Sequence, residues 1–301
     1  MPVFSLRAFL ISLVTLHTRS LLALIAGAIG IGFAPIFVRF SEVGPSATAF
    51  WRIALALPMM GLWAATSSAG RFTRLGAKDW SVLALVGACF AADLAIWHWS
   101  IKYTTVANAT LEANLASIFV VLMGWLFFGT KVSRKFLGAM VVALAGTALL
   151  VGKNAYITPD TLKGDALGVL SGVFYAGYIL SVKAARDRGL STVTIMILSG
   201  VLTATLLLPT AGLSSEAIVP MSLKGWLVVA GLALVSQFGG QTLITYALAR
   251  LSAAPASLGL LIQPATAAIA AWVILGEALA PAQLAGGVIL LIGLWMARRE
   301  G

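Results

Sequence analysis

Residues 105–128 read TVANATLEANLASIFVVLMGWLFF, and residues 252–275 read SAAPASLGLLIQPATAAIAAWVIL. Each stretch is mostly apolar over the ~20 residues that an α-helix needs to cross a bilayer. The two stretches align without a gap at an offset of 147 residues, which pairs Trp125 with Trp272. The chain is therefore predicted to contain membrane-spanning helices and two copies of at least one of them.

The composition of the whole chain agrees with these two stretches. Of its 301 residues, 60% are hydrophobic and only 10% are charged, and the mean hydropathy is +1.00. Soluble domains are about 45–50% apolar and about 25% charged. A chain this apolar cannot cover a globule with water-compatible side chains, which excludes a soluble enzyme, a DNA-binding module and a disulfide scaffold. At ~20 residues per span, the chain has room for about ten helices with short loops.

Ten apolar segments follow one another along the chain, separated by charged residues and by Gly, Pro or Ser breakers. The segments are continuous, whereas the strands of a membrane β-barrel alternate in polarity over about ten residues. The sequence therefore predicts an all-α polytopic membrane protein. The predicted helices cover residues 20–40, 44–66, 78–102, 105–128, 133–152, 164–184, 190–212, 223–248, 253–275 and 281–298.

Residues 1–19 differ from the ten predicted spans. Their apolar run, 8–16, is too short to span a bilayer, is flanked by Arg7 and Arg19, and is not followed by a small-residue cleavage signature. We expect an interfacial amphipathic segment here rather than a cleaved signal peptide. The predicted organisation is this N-terminal segment over 1–19, a five-helix repeat over 20–153, an external linker over 154–163 and a second five-helix repeat over 164–301.

Lysine and arginine are distributed unevenly between the predicted loops. With the N-terminus in the cytoplasm, fourteen of the twenty basic residues lie inside, five lie outside, and Arg52 lies within a span. Basic residues collect on the cytoplasmic side of multispan proteins because they resist translocation. The bias predicts that both termini are cytoplasmic, and it explains the net charge of +10 without a nucleic-acid partner.

The match between the two quoted stretches is part of a longer internal repeat. Residues 99–149 align with 246–296 at the offset of 147, and an offset of 145 pairs Gly44 with Gly189. Because each copy has five helices, an odd number, the second copy must be inverted in the membrane. Many secondary transporters are inverted repeats with the substrate site between the halves. The alternative is a duplicated membrane protein without a transport role.

Residues 103–109 read YTTVANA, 114–116 read NLA, and the second half contains Gln263-Pro264 and Gly276-Glu277. With the duplicated layout, these motifs resemble the drug/metabolite transporter superfamily, EamA-type branch, over about residues 20–298. The likeness is greatest to bacterial inner-membrane exporters of aromatic and neutral amino acids. This resemblance implies an inner-membrane location, an amino-acid or metabolite substrate, and a central cavity lined by helices 1, 3, 4, 6, 8 and 9.

Two positions depart from that pattern. Gln263 stands where the family commonly has a glutamate, and Thr130 is the first-repeat counterpart of Glu277. These departures argue against a mechanism in which a carboxylate at either position carries a proton.

Three ionisable side chains are predicted at membrane depth. Arg52, Asp93 and Glu112 lie ~12, ~14 and ~10 Å from the outer ends of their helices, at ~1.5 Å per residue. An unpaired charge at such a depth costs at least ~2.5–3.5 kcal/mol. The three predict either a charge pair that fixes helix packing or a cluster that binds an amino-acid head group or gates access from outside. The resemblance implies a peripheral second helix, which favours the packing role for Arg52.

Neutral polar and aromatic side chains complete the predicted site. Amides donate and accept hydrogen bonds without ionising, which suits a neutral polar ligand. Tyr175, near the middle of its helix, is predicted either to line the pore or to bond another helix, and His98 either lines a vestibule or reaches the head groups. The candidate substrate-binding residues are Gln263, Gln241, Tyr175, Tyr178, His98, Trp97, Asn108 and Asn114.

Pro35 and Pro264 are predicted bending points of the first and ninth helices. Pro264 has no N–H, which predicts that the carbonyl of Leu260 is freed from its helical bond at membrane depth.

No metal or other cofactor is expected. Cys89 is the single cysteine, His17 and His98 are the only histidines, and no Gly-Lys-Ser/Thr phosphate motif occurs.

The predicted function is a secondary exporter of amino acids or related metabolites that works by alternating access and is not an enzyme. Its expected partners are the small-molecule substrate and membrane lipid. The sequence does not determine the oligomeric state, and a monomer is one of the options. The alternatives are a lipid-modifying membrane enzyme, which needs clustered acids and histidines on loops, and a channel, which needs rings of charge or a filter loop.

Overall fold

Helices make up almost all of the protein in the computed structural model, which describes residues 6–66, 74–104, 106–151, 159–276 and 278–298. Those ranges contain no β-strand, and nine of their helices are long and apolar enough to cross a membrane. A tenth is apolar over Pro281–Ala297, at the short end of the ~17–25 residues of a membrane span. The all-α polytopic fold is confirmed.

We number the ten helices α1–α10. Five of them are continuous: α3 is Ala77–Tyr103, α5 is Arg134–Val151, α6 is Pro159–Asp187, α7 is Thr192–Leu213 and α10 is Pro281–Arg298. The other five consist of consecutive segments: α1 is Leu6–Gly32 and Ala34–Phe40, α2 is Pro45–Ala54 and Ala56–Thr66, α4 is Val106–Asn114 and Ala116–Phe128, α8 is Leu223–Gly231, Leu232–Gln241 and Thr242–Ala247, and α9 is Ala253–Gly259 and Ile262–Leu275.

Two helices begin five or more residues earlier than predicted. The first segment of α1 runs from Leu6 without a break at residue 19, because residues 6–19 contain neither Gly nor Pro and nothing in them stops the helix. The helix α6 begins at Pro159 rather than at 164, since proline fits the first turn, where its missing N–H is not needed. Within the predicted linker, 159–163 is therefore helical, and 154–158 lies outside the described residues.

Contacts between the halves follow the symmetry that a repeat requires. The helix α1 packs on α8 and α9, and its repeat counterpart α6 packs on α3 and α4. Three further contacts join counterparts directly, namely α2 with α7, α4 with α9 and α5 with α10. Each half thus completes its packing with the other half, so the two halves form one folded unit.

Glycines allow the closest of these approaches. A Cβ at Gly146 on α5 would lie 2.8 Å from the Gly286 carbonyl oxygen on α10, and one at Gly286 would lie 2.8 Å from the Gly146 oxygen. On α6, Gly168 faces Glu112 and Gly172 faces the backbone of Glu112 and Ala113 on α4. Small residues permit such backbone contact between membrane helices.

Large apolar side chains cover the outside of the helix bundle. Trp125, Leu126, Phe127 and Phe128 on α4 are all more than half exposed, as is Trp272, the repeat counterpart of Trp125. Exposed apolar surface of this extent suits contact with lipid, because water would be a poor solvent for it.

Candidate substrate-binding site

A small cavity lies where helices of both halves meet. Its volume is about 50 Å³, which is room for one or two waters at ~30 Å³ each rather than for an amino acid. Its walls come from the six helices implied by the family resemblance and, in addition, from α2. The lining residues are Ile31, Ala34, Arg52, Phe90, Asp93, Leu94, Trp97, Thr110, Ala113, Asn114, Tyr175, Gln241 and Gln263.

Breaks in the helices lie beside this cavity. The helix α1 is interrupted at Phe33, after which Pro35 occupies the first turn of the next segment. The helix α4 is interrupted at Leu115, and α9 is interrupted at Leu260 and Leu261, close to the equivalent position of the repeat. Each interruption lies within two residues of a side chain that lines the cavity.

Pro264 lies in the first turn of the second segment of α9. The Leu260 carbonyl is not free, because it accepts a hydrogen bond of 2.9 Å from the backbone N–H of Gln263. The prediction of a freed carbonyl is therefore wrong. A tighter bond spanning three residues replaces the one that proline cannot donate, as is common at helix ends.

Arg52 and Asp93 line the cavity from α2 and α3. The Arg52 side chain is 3% exposed, donates from Nε to Gln237 Oε1 at 3.1 Å, and lies 5.8 Å from the centre of the Phe90 ring. The Asp93 carboxylate accepts a 2.6 Å hydrogen bond from the Ser171 hydroxyl. The two charges interact electrostatically, but among the described residues no ion pair joins them within 4.0 Å.

Gln241 lines the cavity from α8. The ten residues Leu232–Gln241 are wound as a π-helix, a wider turn that is rare and is often found at functional sites. Gln241 is completely buried, yet neither its amide nitrogen nor its oxygen has a hydrogen-bond partner in the described part of the chain. Tyr178 lies nearby without reaching hydrogen-bond geometry. The amide is therefore available to a ligand.

An aromatic wall adjoins the same cavity. Tyr175 and Tyr178 on α6 lie parallel with ring centres 6.0 Å apart, and Tyr178 stacks on Phe90 at 4.5 Å. Gln263 Nε2 approaches the Tyr175 hydroxyl at 3.5 Å, the longest distance for a hydrogen bond. Of these four, Tyr175, Phe90 and Gln263 line the cavity, and Tyr178 packs against Tyr175 and Phe90 without lining it.

The other four candidate residues have different surroundings. Trp97 and Asn114 line the cavity, and Asn114 donates to the Thr110 carbonyl at 2.7 Å. His98 packs against Trp97 without lining the cavity; its Nδ1 is 2.7 Å from the Leu94 carbonyl, and its buried Nε2 has no partner in the described residues. Asn108 does not line the cavity either, and its amide lies 3.4 Å from the Thr104 hydroxyl.

Glu112 lies apart from Arg52 and Asp93 and does not line the cavity. It faces Gly168 on α6 and interacts with the carboxyl group of Asp165. The three predicted charges thus form two groups. Side chains at equal depth on different helices need not face the same space, and Glu112 faces α6 rather than the cavity.

Some residues around the cavity escaped the prediction. Phe90, Thr110 and Gln237 carry no signal in the sequence that separates them from ordinary packing residues. Asp165 was expected at a helix end, whereas α6 begins six residues earlier, about 9 Å further out at ~1.5 Å per residue. The early start of α6 was the missing signal, since Pro159-Asp160 is a typical helix beginning.

Loop contacts close one end of the bundle. The loop after α1 meets the loop before α8, where Gly44 N donates to the Ala217 carbonyl at 3.1 Å. Trp51 on α2 contacts the same loop, because its Nε1 donates to the Ile218 carbonyl at 2.7 Å. Lys102 at the end of α3 forms a 2.6 Å ion pair with Glu216 in the same loop.

Glu42 strengthens that closure. It accepts hydrogen bonds from the Ser222 hydroxyl and from the Ser222 amide. These bonds, with the nearby Lys224 charge, hold the pKa of Glu42 below its usual value. A lowered pKa means that the contact persists at neutral pH and weakens only as the pH falls through the lowered value.

A larger pocket lies at the opposite end of the bundle. Its volume is about 740 Å³, which falls in the ~300–1,000 Å³ range of small-molecule sites. Its walls come from the ends of α4 and α6 and the starts of α5 and α9, and they carry Lys131, Lys183 and Asp187. One end of the bundle is thus closed by its loops, and the other is open.

The comparisons with known proteins bear on this geometry. The sequence model of the EamA-like transporter family matches twice, over residues 18–152 and 162–299. A probable terminal-alkyne amino-acid exporter of Streptantibioticus cattleyicolor is 29% identical over 227 residues, which are 74% of this chain and 75% of that protein. A pseudopaline exporter of Pseudomonas aeruginosa is 25% identical over 213 residues, or 70% and 72% of the two chains.

A solved crystal structure is an example of the same fold. It superposes with a TM-score of 0.74 over 96% of this chain and 98% of its own, at 17% sequence identity. The likeness extends over the whole bundle, and at this identity it is evidence for the fold alone.

Proposed function

The chain belongs to the EamA-like transporter family, and from this premise we propose that it is a secondary exporter of amino acids or related small metabolites. The substrate would cross by alternating access through the cavity between the two halves. The double family match and the names of the two exporters support an export function.

The observation that carries the proposal is the polar lining of that cavity. Both halves contribute to it, with Asn114 from the first half and Gln241 and Gln263 from the second. A buried amide without partners costs roughly 1–3 kcal/mol, so the Gln241 amide is expensive unless a ligand or water uses it. A site at the junction of two inverted halves opens to either side as the halves rearrange.

The closed and open ends fit one state of such a cycle. The end closed by Glu42, Ser222 and Glu216 is the outer end of the predicted topology, and the 740 Å³ pocket is at the cytoplasmic end. We interpret this conformation as inward-facing. The small central volume then corresponds to a site contracted around its own side chains, which must widen to admit an amino acid.

Efflux from loaded vesicles tests the function. Purified protein is reconstituted into liposomes filled with a mixture of radiolabelled amino acids, and loss of each label is followed with protein-free liposomes as the control. We expect efflux that saturates with substrate and speeds up when unlabelled substrate is present outside. Chemical conversion without flux would indicate an enzyme, and flux that does not saturate would indicate a channel.

The proposed location is a bacterial inner membrane with both termini in the cytoplasm. The loops that contact each other agree with this topology, since Gly44 and Ala217 are both predicted outside, and Asp79 and Arg188, which form a 2.7 Å ion pair, are both predicted inside.

Cysteine labelling in whole cells checks the topology. In a Cys89→Ala background, which has no cysteine, we expect Ala217→Cys to react with an impermeant maleimide from outside and Ser252→Cys to react only after lysis, since both positions are exposed. Labelling of both from the same side would contradict the odd number of helices between the outer and inner loops.

A further inference from the structure

We propose that Arg52 and Asp93 together recognise the head group of an α-amino acid, with the guanidinium on the substrate carboxylate and the aspartate on the ammonium. The inference rests on the proposed function and narrows its substrate class to zwitterions with a free carboxylate and a free amine.

The first observation is that the two opposite charges share one cavity without pairing. Both line it, Arg52 is 3% and Asp93 is 7% exposed, and no other described residue of the lining is charged. Their nitrogen and oxygen atoms are more than 4.0 Å apart. Buried charges are normally paired, because removing an ion from water is costly. Two charges held apart in a shared cavity create complementary ends for a third group.

The second observation is the unused bonding capacity of each group. A guanidinium has five N–H donors, and among the described residues Arg52 uses one of them, on Gln237. Within the described ranges Asp93 accepts one hydrogen bond, from Ser171, and a carboxylate has room for about four. These single bonds hold each side chain in position, Arg52 against α8 and Asp93 against α6, and leave most of its capacity for a ligand.

The third observation is the chemistry between and around the charges. The planar guanidinium fork matches a carboxylate with two parallel hydrogen bonds. The unpartnered Gln241 amide can bond to either part of the head group, and Phe90, Trp97 and Tyr175 supply aromatic surface for a side chain. An amino acid satisfies both charges at once, whereas an anion or a cation alone leaves one of them buried and unpaired.

A purely structural role for the two charges makes a different prediction. If Arg52 and Asp93 only connect α2 to α8 and α3 to α6, then replacing either weakens folding and lowers transport of every substrate by the same factor. If they bind the head group, each replacement changes the preference for one part of the substrate: replacing Asp93 reduces the preference for a free ammonium, and replacing Arg52 reduces the preference for a free carboxylate.

The experiment compares three forms of one substrate in reconstituted vesicles. The probes are L-phenylalanine, N-acetyl-L-phenylalanine, which lacks the ammonium, and L-phenylalaninamide, which lacks the carboxylate; the same set is built on L-leucine. For the wild-type protein we expect transport of the zwitterion to exceed that of each analogue by roughly tenfold or more, as expected for a lost bond to a buried charge. This arm needs no variant.

Two variants, each of which removes one charge, then assign the two ends of the substrate. Asp93→Asn should lower transport of the zwitterion and raise the ratio of N-acetyl-analogue transport to zwitterion transport roughly tenfold. Arg52→Gln should also lower transport of the zwitterion and should raise the ratio of phenylalaninamide transport to zwitterion transport roughly tenfold. Each rate is normalised to folded protein measured by gel filtration. Equal transport of all three forms by the wild type, or equal loss of all three in the variants, would overturn this inference alone. Failure of the wild type to move any of the solutes, while efflux of the wider amino-acid mixture is also absent, would overturn the proposed function as well.

Discussion

Gly146→Leu should abolish most of the folded protein, whereas Gly138→Leu, eight residues earlier on the same helix, should leave it intact. At Gly146 any side chain enters the backbone of α10, close to Gly286 and Leu290. At Gly138 nothing lies within 4 Å of an added Cβ. Leucine is a better helix former than glycine by ~0.8 kcal/mol, so a loss at 146 must come from packing between α5 and α10.

The magnitude follows from overpacking, which costs ~1–3 kcal/mol for added methylenes and more where backbone must move. The measurements are the yield of monodisperse protein and the midpoint of thermal unfolding in detergent. Gly293→Leu serves as a second test, because Gly293 is the repeat counterpart of Gly146 and contacts the backbone of Ala143 on α5. If the variants at 138 and 146 unfold at the same temperature, the close α5–α10 contact does not hold the halves together.

The fold was largely predictable because its signals are strong along the chain and occur twice. Apolar runs long enough to span a bilayer, and the matched Trp and Gly of the two copies, depend only on sequence. The early starts at Leu6 and Pro159 escaped the prediction because charged residues such as Arg19 and Lys163 interrupt the apolar runs there. In a membrane protein a charge near the interface extends toward water while the helix continues.

The sequence predicted how deep the site residues lie in the membrane, but not which neighbouring helices their side chains face. Arg52 and Glu112 were expected at similar depths, yet Arg52 lines the cavity and Glu112 faces Asp165 on α6. Helices that are apolar on every side give no indication of which face turns inward, since lipid and protein interior favour the same residues. The family resemblance implied that α2 is peripheral, yet Arg52 on α2 lines the cavity. The break at Leu55 has a signal, because Pro58 cannot donate a helical hydrogen bond to the Ala54 carbonyl, whereas no Gly or Pro lies beside the break at Leu115.

Gln241→Leu should stabilise the protein and impair its transport. Neither atom of the Gln241 amide has a partner in the described chain although the residue is fully buried. Replacing such a group with an apolar one of similar size removes a desolvation penalty of ~1–3 kcal/mol. We therefore expect a higher unfolding midpoint in detergent. The same change removes a bond to the substrate, which should weaken apparent affinity by roughly five- to hundred-fold.

A matched control is Gln283→Leu on α10. Both polar atoms of the Gln283 amide are bonded, since its oxygen accepts from Ala280 N at 3.0 Å and its nitrogen donates to the Leu150 carbonyl at 3.0 Å. That variant should lose stability and keep its transport per folded molecule. The two glutamine variants thus move stability in opposite directions, and only the one in the cavity changes saturation kinetics. A destabilised Gln241→Leu protein with unchanged kinetics would mean that the amide serves the packing of α8 rather than the substrate.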